Sequence, residues 1–381
     1  DSSGASATVG WTDGESAVFS AGTDGIGAYT VTLAGSVTTP SILIEEAGAK
    51  TIAGGTINIG AGSINTAAAG NGNAFTISSL IAGAGGLTIN ANGDTSETGG
   101  GVGGMLILSG AKTISGDITI NSGVVRSNSG FGGSGNKLIL NGGGIVDANL
   151  NTNIANNIEI PATKTGVYRA YGSVATGQLS GAITGSGTLM RTDGGTVTLN
   201  CNFSAFTGTF RNAQGTTVIG TPAATTMAAI PVVQSDGGNV LRLGAAGDTT
   251  ILSLVSDRDI VMPCGSRLNI ANGTYTTVGA GSTYNGFWAQ GTTAGSAAAT
   301  GDITSSSGTL NITNGLPAGN LTTTDNRIRL KIVDFNGGTP LAVTHNHQNS
   351  LVLDMANTFT GGMTINGGRI NVANAGAFGT G

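Results

Sequence analysis

Between Leu179 and Gly220, apolar side chains recur on every second residue in short runs, and each run ends in a cluster of glycine, asparagine or aspartate. Ile183, Leu189, Val197, Leu199, Phe210 and Val218 mark the runs, and Asp193-Gly194-Gly195 is one of the breaks. Alternation at period two with β-branched residues specifies strands, and Gly/Asn/Asp clusters specify tight turns. The same phrase returns more loosely at Leu80–Asn90, Met105–Asn121, Lys137–Asp147, Ser307–Asn314 and Asn357–Gly381. The units recur roughly every 20 residues, and one this short cannot bury its apolar face alone. It has to stack on its neighbours. The pattern therefore predicts an all-β chain, a single elongated right-handed parallel β-helix (β-solenoid) with short strands and Gly/Asn-rich turns, continuous over 1–381.

Composition agrees. Charged residues are 9% and aromatics 4%, yet hydrophobic residues reach 39%. Disorder needs low hydrophobicity with high net charge, and collagen needs a strict glycine period with abundant proline. The 68 glycines follow no such period and there are only 7 prolines, which excludes both. Thr, Ser and Asn cover the solvent faces in place of charges. The net charge of −5 offers no basic footprint for nucleic acid. No apolar run reaches the roughly 18 residues of a membrane span. A chain opening on Asp1 reads as a secreted protein after signal-peptide removal.

Taken in order, Ala17–Phe19, Tyr29–Leu33, Ser41–Ile44 and Thr56–Ile59 read as the first strands, and Trp11 as a cover for the open end of the stack. Two stretches break the pattern. One is 221–233, with two prolines and an Ala-rich middle. The other is 284–302, which holds Tyr284, Phe287 and Trp288 close together. Both are expected to be irregular loop insertions, and the three aromatics are the candidate tip for stacking on a cell-surface glycan or a partner.

Asn156-Asn157-Ile158 followed by Leu179–Leu189, then Thr196–Leu199 and Phe206-Thr207-Gly208, resembles the autotransporter-associated β-strand repeat family of bacterial secreted and surface proteins. Asn357–Gly368 and Asn374–Gly379 resemble it more closely, and Ala17–Ser20 with Tyr29–Leu33 resembles the opening repeats of such chains. The resemblance implies a right-handed parallel β-helix on the cell exterior. Its motif is structural, so it implies a fold and not an activity.

Catalysis on such a fold would need clustered acids or bases on one strand face. Glu45 and Glu46 are adjacent and point to opposite faces. Asp257 and Asp259 can share a face but read as a solvated turn. His345 and His347 share a face if extended, and a metal would want a third ligand such as Asp354. They too read as a surface polar turn. Gly132–Leu138 echoes a calcium-binding repeat but carries Lys137 where the key aspartate belongs. Cys201 and Cys264 read as buried small residues, with a disulfide as the alternative. No catalytic group, metal or cofactor is expected.

Open solenoid ends are exposed strand edges, which pair readily with other chains. The last repeat runs to Gly381 without a polar or helical cap. The expectation is an extracellular filament subunit joined head to tail with itself. Trp11, Phe19, Ile370, Val372 and Phe378 would lie at the assembly ends. The alternatives are a monomeric adhesin binding through the two loops and, behind it, a polysaccharide lyase or hydrolase.

Overall fold

The computed structural model describes residues 10–19, 27–45, 48–66, 74–93, 95, 105–128, 130–133, 135–148, 153–171, 176–220, 230, 232–235, 240–243, 248–256, 260–262, 266–277, 286–289, 301–314, 326–336 and 338–381. The fold is a parallel β-solenoid, all-β with no helix among the described residues. The chain divides into two compact units, Asp1–Gly195 and Thr196–Gly381.

In the first unit, Ala17–Phe19, Ser41–Ile44, Ser63–Thr66, Leu87–Asn90, Ile118–Ser122, Lys137–Leu140, Asn157–Ile160 and Ile183–Gly185 are successive parallel neighbours in one sheet. Their apolar residues stack in file. Ile42, Ile64, Ile89, Ile120 and Leu140 stand one above the next, all buried. Each such side chain contributes about 1.5–3 kcal/mol by leaving water. Outside this core the asparagines also stack. Asn90 donates to Asn65 (2.6 Å), Asn121 to Asn90 (3.0 Å) and Asn141 to Asn121 (2.8 Å), at sequence separations of 25, 31 and 20. Those separations are the turn lengths, so the slipping period is real: turns of unequal length keep one register on this face.

The other wall uses longer strands that turn a corner. Tyr29–Thr38 pairs with Lys50–Asn58, and the register slips between Leu33 and Ser36. Glycine makes that corner. Gly54 and Gly55 have φ of 69° and 47°, and a Cβ on Gly55 would run into the carbonyl oxygen of Gly35.

In the second unit, Thr196–Leu199, Thr216–Ile219, Val240–Leu243, Ile260–Met262, Gly286–Ala289, Asn326–Ile328, Ala342–Leu353 and Met363–Val372 pair in that order, all parallel. Ala17–Phe19 and Ser41–Ile44 have the bounds read from the sequence. Part of the expected insertions is ladder. Gly286–Ala289 is a strand, and Val232–Ser235 begins inside the stretch expected to be a loop. Phe287, Trp288, Val232 and Val233 are strong strand formers, and a short run suffices once neighbours template it. Residues 221–229, 284–285 and 290–300 lie outside the described residues.

The interior is not apolar throughout. Lys50, Lys112, Arg191 and His345 are buried. Arg191 falls in register with Tyr168, and Tyr168 with Ile145. Its guanidinium donates to the backbone carbonyls of Asp193 and Gly195. Burial pushes its pKa down to about 10, which Tyr168 and Asp193 oppose, so it stays charged at neutral pH. Arg169, fully buried, pairs with Asp193 (Nε to Oδ2, 2.8 Å). Lys112 donates to the carbonyls of Leu108 (2.9 Å) and Gly110 (2.7 Å), and burial lowers its pKa to about 8. Carbonyls at turns accept from these long side chains, so a cation lies inside without being orphaned.

Candidate functional site

The first described turn carries an apolar cavity of about 280 Å³. Trp11, Val18, Phe19, Val31, Leu33 and Val37 surround it, and its floor is the buried Ile42, Ile52 and Ile57 of the turns above. Strand alternation aims Val31, Leu33 and Val37 to one face, and each stays half-buried. Phe19 leans on Phe75, ring centroids 5.9 Å apart. Trp11 is 45% exposed and its indole N–H donates to Asp13 Oδ1 (3.0 Å).

The last strand, Met363–Val372, pairs with Ala342–Leu353 and with no other described strand. Ile365 lies opposite His345, Ile370 opposite Leu351 and Val372 opposite Leu353; those three partners are buried. The side chains of the last strand on that face thus follow core positions, with one neighbouring strand among the described residues. Ile365 and Val372 are 48% and 47% exposed, and Phe378 beyond them is 43% exposed. Ile370 is half-buried.

The other candidates fare differently. Tyr284 lies outside the described residues, as do Asp257 and Asp259. Phe287 and Trp288 sit on a ladder strand, in register with Ile260 and Val261, and not at a loop tip. His345 is a correction: it is in mid-strand and fully buried, with Nδ1 3.0 Å from the Gly367 carbonyl. Burial lowers its pKa, and the Gly367 contact opposes that. Asp354 is paired with Arg329 at 2.9 Å. Among the described residues no three potential metal ligands come together. Lys137, in the calcium-like phrase, pairs with Glu159 at 2.8 Å, which raises its pKa.

Cys201 is free and buried; Cys264 lies outside the described residues. Burial pushes the Cys201 thiol up to about 12. The thiolate is the nucleophile, so at about pH 8 almost none exists to react. In a Cys264→Ser variant, no thiol is expected to react with a thiol reagent until the chain unfolds. Rapid labelling of the folded variant would show that Cys201 opens to solvent.

Sequence reasoning missed a polar cleft of about 410 Å³ in the second unit, lined by Arg267, Asp302, Lys331, Val333, Asp334 and Thr358. Arg267, Asp302 and Lys331 are register neighbours on successive turns, and only Arg267 and Asp302 form an ion pair, at 3.6 Å. Asp334 accepts from the amides of Leu341 and Thr360 and from the Thr360 hydroxyl, which hold its pKa down against partial burial. Two cations and two carboxylates share the cleft, so their formal charges cancel. The pairing that makes it is long-range, which no local pattern announces.

No curated protein and no solved structure matches the chain. The model of the passenger-associated-transport-repeat matches it at residues 103–126 and 349–372. The first match covers the strands Leu106–Leu108, Lys112–Ile114 and Ile118–Ser122, and the second ends with the strand Met363–Val372. The chain is thus a β-solenoid with two stretches that match the passenger-associated-transport-repeat.

Proposed function

We propose that this passenger-type solenoid is an extracellular structural protein whose subunits join end to end into a surface filament. One observation carries the reading. Among the described residues, six large apolar side chains are exposed, and five of them, Trp11, Val18, Ile365, Val372 and Phe378, lie in the first and last described turns. Tyr171 is the exception. Scattered exposed apolar residues need no explanation, whereas concentration at two edges marks interaction surfaces. The partner is the same chain, since a head-to-tail contact of unlike ends propagates without closing.

A non-enzymatic role is supported by what the acids do. Asp193, Asp354 and Glu159 are each engaged by a cation, and Asp334 by hydrogen-bond donors. The adhesin alternative rests on 221–233 and 284–302, which lie largely outside the described residues.

Electron microscopy of material isolated from the cell surface tests the filament. Fibres with an axial repeat of one subunit length are expected. Separate rods at high protein concentration would overturn the reading and turn attention to those two stretches.

A further inference from the structure

In the polar cleft of the second unit, we propose a binding site for a small zwitterion, an α-amino acid, whose carboxylate seats on Lys331 and whose ammonium faces Asp334. Strand alternation builds the cleft. Leu268, Ile303 and Ile332 are buried in register on successive turns, so their neighbours Arg267, Asp302 and Lys331 point outward in one column. Their order is cation, anion, cation, at a spacing of about 4.8 Å.

Arg267 and Asp302 answer each other. Arg267 Nη2 lies 3.6 Å from Asp302 Oδ2, and its Nη1 donates to Asn336 Oδ1 (3.4 Å). Setting that pair aside leaves two charges. Lys331 is half-buried, and among the described residues its ammonium has neither an ion-pair nor a hydrogen-bond partner. Asp334 is a carboxylate without a cation. Its Oδ1 accepts from the amides of Leu341 (2.8 Å) and Thr360 (2.9 Å), and its Oδ2 from the Thr360 hydroxyl (2.8 Å). Three neutral donors favour the ionised form and fix its direction, but they do not cancel its charge. A carboxylate offers about four lone-pair sites, so Asp334 keeps room for one more N–H donor.

The occupant follows from complementarity. An anion alone meets the carboxylates of Asp302 and Asp334, and a cation alone meets Arg267 and Lys331. A molecule that carries both charges and is neutral overall satisfies the two unmatched groups together and adds no net charge to the cleft. Lys331 and Asp334 stand three residues apart, which suits a ligand whose charges are close together, as on an α-amino acid. Val333 supplies an apolar wall for a small side chain, and the exposed Thr358 adds a hydroxyl. The volume of about 410 Å³ falls within the about 300–1,000 Å³ usual for small-molecule sites.

Saturation-transfer NMR on the whole chain at neutral pH tests the site. L-alanine carries both charges, N-acetyl-L-alanine only the carboxylate and L-alaninamide only the ammonium. L-alanine is expected to bind saturably, and each analogue at least about fivefold more weakly, the upper end for a solvent-screened ion pair. Lys331→Met is expected to bring L-alanine down to the level of L-alaninamide and to leave L-alaninamide unchanged. Its melting temperature should stay native, because Lys331 gives up no partner within the described structure. Asp334→Asn is expected to remove the preference for the ammonium in the same way; should it unfold, Lys331→Met still carries the test. No saturable binding of L-alanine, equal binding of all the probes, or L-alanine binding that Lys331→Met leaves untouched would each overturn the site.

Discussion

Asp193→Ala is expected to destabilise the first unit by about 3–5 kcal/mol, the usual cost of leaving a buried charge without its partner. The guanidinium of Arg169 is fully buried and its Nε lies 2.8 Å from Asp193 Oδ2. Asp193 also occupies the left-handed region, at φ 74°, where aspartate is tolerated better than alanine. Asp193→Asn separates the two effects, since it keeps the backbone preference and removes the charge. Arg169→Met added to Asp193→Ala should recover most of the loss, because an apolar pair of similar volume replaces a buried ion pair at little cost. Urea denaturation followed across these proteins, with Arg169→Met alone completing the cycle, gives the coupling. A midpoint that barely moves in Asp193→Ala would mean that solvent reaches Arg169.

Asn156→Ala should cost about 2–4 kcal/mol, on the basis of about 1–3 kcal/mol for each buried polar group left unpaired. Asn156 is buried, and its side-chain amide donates to the carbonyls of Asn136 (3.0 Å), Gly133 (3.1 Å) and, at the long end, Phe131 (3.4 Å). Asn136 has the same role in the preceding turn, bonding Ile114 (2.7 Å) and Gly116 (2.5 Å). These side-chain amides tie each turn to carbonyls of the one before it, of which Gly133 also accepts from the Asn136 backbone amide (3.0 Å). Asn156→Asp should be worse than alanine, because it turns a carboxylate toward carbonyl oxygens. Thermal unfolding ranks the three proteins, with native highest and aspartate lowest. Alanine indistinguishable from native would show that water replaces the amide.

Much of the fold is legible locally. The run Ser41–Ile44 alternates, carries isoleucine at the buried positions and is bounded by Pro40, so its strand follows from its own residues. The corner at Gly54-Gly55 is equally local, because its φ values exclude most other residues. His345 was not legible. On a polar stretch it reads as surface, and only its pairing with Ile365, on the same face as buried Val343, puts it inside. Nothing in the local pattern singles out Arg169 and Arg191 as buried. The Arg191-Thr192-Asp193 spacing before two glycines was the available signal, but its partner Arg169 is 24 residues away in sequence.

The sequence by itself determined strand identity, turn chemistry and the need to stack, because alternation and φ preference act within a few residues. Only the tertiary structure decided which turn lies on which and at what register. Turn lengths of 20 to 31 residues make that choice a global one, taken by the joint packing of all the columns. Burial depends on the neighbour above and below. A residue that is core in mid-stack, such as Leu353, therefore has an exposed counterpart at the edge in Val372.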